Sequence, residues 1–434
     1  MGEQHMTRIT AVTTHDLRAR TSLTLAGSDA AHPDPDYSAA YVVLHTDGPY
    51  EGHGMTFTIG QGNDLCCQAI EALAPLVRGR TLADIVDSMG DFWRQITNHP
   101  QLRWLGPEKG TIHLATAALV NAVWDLWAKE RGVPVWQLVA GLEPEQFLDC
   151  LDLRYVRDVL PEDRVLDLLR AQAPTKTDRI AELGRDGLPA YVTSAGWLGY
   201  SEQQVRDLCR AALADGWRSF KTKVGVDIAS DVRRCEVMRE ELGADIQLMA
   251  DANQVWDVPE AIAWIEHLRP FDLRWIEEPT SPDDILGHAT IRHAIAPIGV
   301  ATGEHAANRV IFKQLLQAQA IDYCQVDACR IGGLNEVLVV LLLAAAHEIP
   351  VCPHAGGLGL CEYVQHIAMI DAVCVSGIVD DRTIEYAAHL HEHFRDPAQI
   401  RAGHYVVPHA PGYSIEMLPD SIAALTYPTG SEWA

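Results

Sequence analysis

Basic residues are scarce. The 434 residues hold 34 Lys plus Arg against 59 Asp plus Glu, a formal net charge of −25. Nucleic acids and anionic membranes are gripped by clustered Lys and Arg, so neither is expected as a partner. No uninterrupted apolar run is long enough to span a bilayer. Met1–Thr10 lacks the apolar core of a secretion signal, and Met6 stands where a myristoylation motif needs Ser or Thr. The expectation is a cytoplasmic protein. Ten cysteines are scattered with no C-x-x-C pair, which argues for reduced thiols and against a cysteine zinc site. There is no G-x-G-x-x-G after a strand, hence no dinucleotide fingerprint, and no G-x-S-x-G elbow for a serine nucleophile. Low-complexity linkers are also missing. What is present is a 48% apolar, 21% charged chain with the length for a large core.

The first 150 residues read as α+β. Arg8–His15 and Ala39–Thr46 have strand character, separated by the polar, proline-punctuated loop Gly27–Tyr37. Asp47–Gly54 reads as a second, glycine-rich loop. Asp64–Val77 and Gly110–Arg131 carry helical periodicity, the latter stopped by Gly132 with Pro134 beyond. From about Tyr191 a unit repeats: short apolar strand, polar end, helix. The strand candidates are residues 190–194, 219–225, 246–253, 273–279, 298–305, 322–328, 349–355 and 373–381. Eight strands with intervening helices are the pattern of a (β/α)8-type barrel, an α/β fold, and their continuous apolar character fits strands covered on both faces.

Chemistry in such a barrel sits at the C-terminal ends of the strands. Lys221 and Lys223, Asp251 with Asn253, Glu277 and Glu278, Glu304, Asp327 and His354 occupy those ends in order, and the last strand leads to Glu385. Successive groups from Lys223 to His354 lie one unit apart, so all return to one rim. Asp251, Glu277 and Glu304 make an all-oxygen site suited to Mg2+. Glu277 and Glu278 are neighbours, and strand parity allows only one of them to point inward without saying which. Lys221 and Lys223, two apart, share a face. Two ammonium groups so placed disfavour each other's charge, which can leave one as a neutral general base. An aspartate one unit before His354 can fix the imidazole tautomer and stabilise its cation. His389, His391 and His393 alternate too tightly to ligate from one helix face and read as helix-surface residues.

The ordered set Lys-x-Lys, Asp, Glu, Glu, Asp, His resembles the enolase superfamily, mandelate racemase subgroup. WDLWAKERGVPVWQLVAG resembles the end of that family's N-terminal cap. GSDAAHPDPDYSAAYVVL, QLRWLGPEKG, AGWLGYS, WIEEPTSPDDILGHA and HAGGLGLCEYVQH are similar to the L-fuconate dehydratases within it. The resemblance implies a (β/α)7β barrel over residues 151–400, with an α+β cap built from residues 1–150 and completed by 401–434. It implies Asp251, Glu277 and Glu304 as Mg2+ ligands, Lys223 as base on one face of the substrate, and His354, oriented by Asp327, on the other. Lys221 belongs to the same catalytic group. Asp29, His53, Thr193, Asn253 and Glu385 are the implied substrate contacts, with His53 standing where relatives are expected to have Tyr.

The activity implied is dehydration of a six-carbon acid sugar, L-fuconate, to a 2-keto-3-deoxy acid. Lys223 takes the C2 proton and His354 protonates the leaving 3-hydroxyl. A related dehydratase, a racemase or epimerase, and a non-catalytic sugar-acid binder are the alternatives. The partner is then a small acid sugar, and a barrel with this much apolar surface is expected to form a homo-oligomer.

Overall fold

The computed structural model describes residues 7–434. Residues 1–6, on which the reading of the N-terminus partly rests, lie outside the described residues. Three antiparallel strands open the chain: β1 (Ile9–Arg18), β2 (Ser38–Thr46) and β3 (Gly52–Thr58), in the order β1–β2–β3. Central β2 is buried from Ser38 to Leu44, as its unbroken apolar run requires. The helix Gly110–Arg131 packs on β2 and β3 and ends at Gly132 in the left-handed conformation.

β3 corrects the expectation of a loop reaching Gly54. Its glycines are there because the strand backbone touches the helix: a Cβ on Gly54 would lie 2.2 Å from the carbonyl oxygen of Ala118. The helix expected over 64–77 is Asn63–Leu73, and Pro75 turns its end into a single 3-10 turn, Ala74–Leu76.

The barrel strands are β4 (Leu188–Val192), β5 (Ser219–Lys223), β6 (Gln247–Asp251), β7 (Leu273–Glu277), β8 (Gly299–Thr302) and β9 (Tyr323–Cys324), all parallel neighbours in that order. The seventh position is a single bridge from Cys324 to Val351. The eighth expected strand, 373–381, is wrong. Asp371–Val375 is a π-helical turn that ends a buried helix, and the closing strand is β10 (Ile384–Tyr386), parallel to β4. A fully apolar run has no periodicity that separates strand from buried helix. The amide of Glu385 donates to the Pro353 carbonyl and completes the ring. A short hairpin, β11 (Ile400–Arg401) and β12 (His404–Tyr405), then adds to the outer end of β4, antiparallel to it.

Alternation puts Tyr191, Met249, Trp275, Ala301 and Cys352 inside the barrel as a small separate core, while Phe220, Leu248, Ala250, Ile276 and Val300 face the helices. The chain's last segment returns to the cap: the Tyr41 hydroxyl donates to Ile415 and accepts from the Met417 amide, and the Tyr427 amide donates to Asp16. All ten cysteines are unpaired thiols, and nine are buried. No helix among the described residues is long and apolar enough to cross a membrane.

Candidate active site

Strand register assembles the barrel rim. Lys223 pairs with Asp251, and Asp251 with Glu277, so three charged groups stand side by side in one ladder row. Trp275 and Glu277 share the inward parity, which turns Glu277 into the barrel. Glu278 follows with φ +44° and is directed instead to His305. One carboxylate oxygen from each of Asp251, Glu277 and Glu304 lies within 4.8 Å of the others.

The buried ion pairs are tight. Lys223 Nζ is 2.5 Å from Asp251 Oδ2, and Lys221 Nζ is 2.6 Å from Glu277 Oε1 and 2.8 Å from Glu385 Oε1. Gln325 Nε2 donates to Glu277 Oε2 at 2.7 Å. These contacts overturn the expectation of a lysine neutralised by its twin. Burial disfavours both ammonium charges, but Asp251 for Lys223, and Glu277 with Glu385 for Lys221, hold both pKa values above the ordinary lysine range. Burial is opposed at Asp251 by the two lysines, which keep its carboxyl well below its usual value. Burial and the neighbouring Asp251 charge push Glu277 up to about 8. A set of buried carboxylates still short of positive charge, offering only oxygen donors, fits a hard divalent cation such as Mg2+.

On the far side of these strands His354 Nδ1 meets Asp327 Oδ2 at 2.8 Å. Asp327 Oδ1 accepts the amides of Cys329 and Arg330, each at 2.7 Å, so the carboxylate is locked by its own turn. His354 Nε2 lies 3.3 Å from Glu304. Burial opposes the imidazolium, but the Glu304 charge and the Asp327 hydrogen bond raise its pKa to about 10. Glu385 is lowered to about 2, because Lys221 and His354 outweigh burial.

A cavity of about 260 Å³ lies between this rim and the cap. Lys223, Glu304, His354, Asn253, Glu385, Thr193 and Asp29 all line it. Lys221, Asp251, Glu277 and Asp327 sit directly behind, through the contacts above. Asn253 Oδ1 is buried without a protein partner. Asp29 Oδ1 caps its own turn, accepting the amides of Ala31 at 2.8 Å and His32 at 2.6 Å.

His53 is not brought to this cavity. It sits within β3, its Nδ1 2.7 Å from the Tyr41 hydroxyl and its amide donating to Asp125, turned into the cap. The histidines expected on a helix surface lie on no α-helix: His389 is in the loop after β10, and His391–His393 is a single 3-10 turn. His389 packs between the rings of Tyr37 and Trp197, and His391 bonds Glu362.

Sequence reasoning missed the aromatic wall of the cavity, Tyr37 and Phe57 of the cap with Trp197 from the barrel loop after β4; Tyr37 is edge-on to Phe57 at 5.1 Å. Gly27 enters that wall at φ +82°, where a Cβ would overlap the Tyr37 ring. Gln325 was also missed, although its position two before Asp327 gave it the inward parity.

A barrel rim holding an oxygen triad between an ammonium and a carboxylate-held imidazole, closed by an α+β cap, defines a class of proteins. Residues 10–140 match the mandelate racemase / muconate lactonizing enzyme N-terminal domain, and residues 204–421 match the enolase C-terminal domain-like family. The chain belongs to the enolase superfamily. It is similar to the crystal structure of human mitochondrial enolase superfamily member 1, at 52% identity with 98% of each chain covered and a TM-score of 0.97. It is 51% identical to L-galactonate dehydratase of Hypocrea jecorina, over 98% of this chain and 96% of that protein. It also resembles L-talarate dehydratase from Polaromonas sp. JS666, solved with Mg and L-glucarate, at 25% identity, 97% coverage of each chain and a TM-score of 0.72.

Proposed function

We propose that this protein is a Mg2+-dependent acid-sugar dehydratase whose substrate is L-fuconate. The observation that carries the reading is Lys223 and His354 facing one cavity, with the strands of Asp251, Glu277 and Glu304 between them along the ladder. The similarity to an L-galactonate dehydratase supports the sugar class. L-Fuconate is L-galactonate without its C6 hydroxyl, so the two share configuration at every carbon the chemistry touches. Ten unpaired thiols suit a reducing compartment, and we assign the protein to the cytoplasm.

A proton α to a carboxylate is weakly acidic, and its removal places a second negative charge on the carboxylate oxygens. Mg2+, held by Asp251, Glu277 and Glu304, supplies when bound the positive charge that offsets this development. With Asp251 taken up by a bound cation, Lys223 would lose the partner that holds its charge, and its ammonium would release a proton to solvent. The Lys223 amine then accepts the C2 proton. Lys221, buried between Glu277 and Glu385, stays charged and favours the anionic substrate. His354, kept cationic and fixed in orientation by Asp327, gives its Nε2 proton to the departing 3-hydroxyl. The resulting enol tautomerises to the 2-keto-3-deoxy acid.

The test is incubation with MgCl2 and a panel of acid sugars including L-fuconate and L-galactonate, with the 2-keto product trapped as a semicarbazone. Product from L-fuconate that disappears with EDTA is expected. Proton exchange at C2 without keto acid would make the protein a racemase or epimerase instead.

A further inference from the structure

A second histidine–carboxylate pair faces the cavity, and the chemistry above gives it no task. His305 follows the ligand Glu304 and lines the cavity, its side chain 19% exposed. Its Nδ1 is 2.9 Å from Oε1 of Glu278, a carboxylate with no solvent exposure. Its Nε2 has no partner among the described residues and is not sealed from solvent.

Glu278 is built into place from three directions. It accepts the Gln254 side-chain amide at 2.9 Å, the His305 backbone amide at 3.3 Å and the His305 ring. Holding it there requires left-handed backbone at three non-glycine residues, Asn253 at +45°, Gln254 at +68° and Glu278 at +44°. Left-handed backbone is unfavourable at such residues, a cost that persists where surrounding structure enforces it and that clusters at functional sites. A purely structural ion pair has no need of an open ring nitrogen on a cavity wall. Carboxylate-bound Nδ1 fixes the ring plane and leaves Nε2 as the free polar atom of a ring that lines the cavity.

We propose that His305 is a substrate-binding residue whose Nε2 hydrogen-bonds a hydroxyl of the acid sugar, and that Glu278 is the residue that positions it. This deepens, and rests on, the acid-sugar reading of the site. The competing role for the same atoms is a second cation site, since Glu278, Glu304 and His305 each offer a donor within 4.8 Å of the others.

Two substitutions separate these roles by geometry. His305→Asn keeps a donor where Nδ1 sits and deletes Nε2. His305→Gln extends its amide towards the Nε2 position and abandons Glu278. Each is made in a Lys223→Ala background that binds without turnover. Each is checked by thermal melting, then titrated calorimetrically with MgCl2 and, once loaded, with L-fuconate. The expected result is L-fuconate affinity about tenfold weaker in His305→Asn, the worth of one hydrogen bond, and recovered to within about threefold in His305→Gln, with Mg2+ affinity and stoichiometry unchanged in both. Glu278→Gln, which loosens the ring without removing Nε2, falls between them.

Unchanged L-fuconate affinity in His305→Asn overturns the proposal, as does a second Mg2+ equivalent lost on substitution. If the Lys223→Ala parent binds neither L-fuconate nor L-galactonate and the wild type turns over neither, the substrate reading falls and takes this inference with it. Binding by the parent that His305→Asn leaves intact removes the inference alone.

Discussion

The barrel wall of the cavity draws its groups from strand ends locked in a hydrogen-bonded ladder, Lys223, Asp251 and Glu277 in one row. The opposite, aromatic wall draws Tyr37 and Phe57 from the cap and Trp197 from the barrel loop after β4, side chains that meet only in three dimensions. On the first wall almost every polar group is buried and paired with another. On the second, aromatic faces present shape and few charges. Under the proposed function the difference separates two tasks: the groups assigned to proton transfer stand on rigid elements, and those assigned to substrate selection sit on segments free to vary without disturbing the ladder.

Breaking the barrel wall has the largest expected effect. Lys223→Ala lowers kcat by about 10³-fold, within the range for loss of a positioned general base. Solvent-deuterium incorporation at C2, followed by NMR, falls with it. Retained exchange at the wild-type rate would move the base to another residue.

Next is the joint between the walls. Glu336, on the helix Leu334–Ala346, accepts from His113 of the cap at 2.6 Å and from Arg309 at 3.0 Å. Burial raises its pKa, but the charges and hydrogen bonds of His113 and Arg309 override this and lower it to about 2. A depressed carboxylate contributes stability that is complete above its unfolded value and fades as pH falls through the folded one. Thermal melts should therefore weaken between about pH 4.5 and pH 2 in the wild type, with a flatter slope in Glu336→Gln. At neutral pH that substitution costs about 3 kcal/mol, because it leaves the buried Arg309 guanidinium short of charge, and urea titration measures the loss.

Gly54→Ala tests the cap's own packing. The added methyl meets the Ala118 carbonyl, and an overpacking cost of about 1–3 kcal/mol is expected from the urea midpoint, with kcat preserved.

Phe57→Ala should raise KM about fivefold and leave kcat nearly unchanged, the signature of a wall that binds but does not react. An equal fall in kcat would erase the contrast drawn here.

His53→Gln gives the smallest kinetic effect, within about twofold in kcat/KM, because the ring faces Tyr41 and not the cavity. A change in substrate preference on this substitution would contradict that placement.

How far each wall was legible follows from its construction. Along a strand the side-chain period is two, so Phe220 facing the helices fixes Lys221 and Lys223 inward from sequence alone. One group per βα unit likewise returns Asp251, Glu277, Glu304, Asp327 and His354 to one rim. Parity was less help at Glu277–Glu278, where the strand ends and the next residue turns left-handed. The closing strand failed for a different reason: residues 372–375 are a buried apolar run in which no period separates strand from helix, and β10 has only three residues. The aromatic-wall residues Tyr37 and Trp197 stood within segments already singled out, yet nothing local says that residue 37 meets residue 57 or that His389 lies between 37 and 197.

Strand periodicity was enough to specify the barrel apart from its closing strand, the rim, and the kind of atom each strand delivers there, because ladder geometry reads out residue by residue. Tertiary structure alone decided which way His53 turns, that the lysines rest on carboxylates, and that Glu278 holds His305. Those outcomes depend on charges and surfaces brought together from distant parts of the chain, and their energies exist only once the barrel has closed beneath its cap.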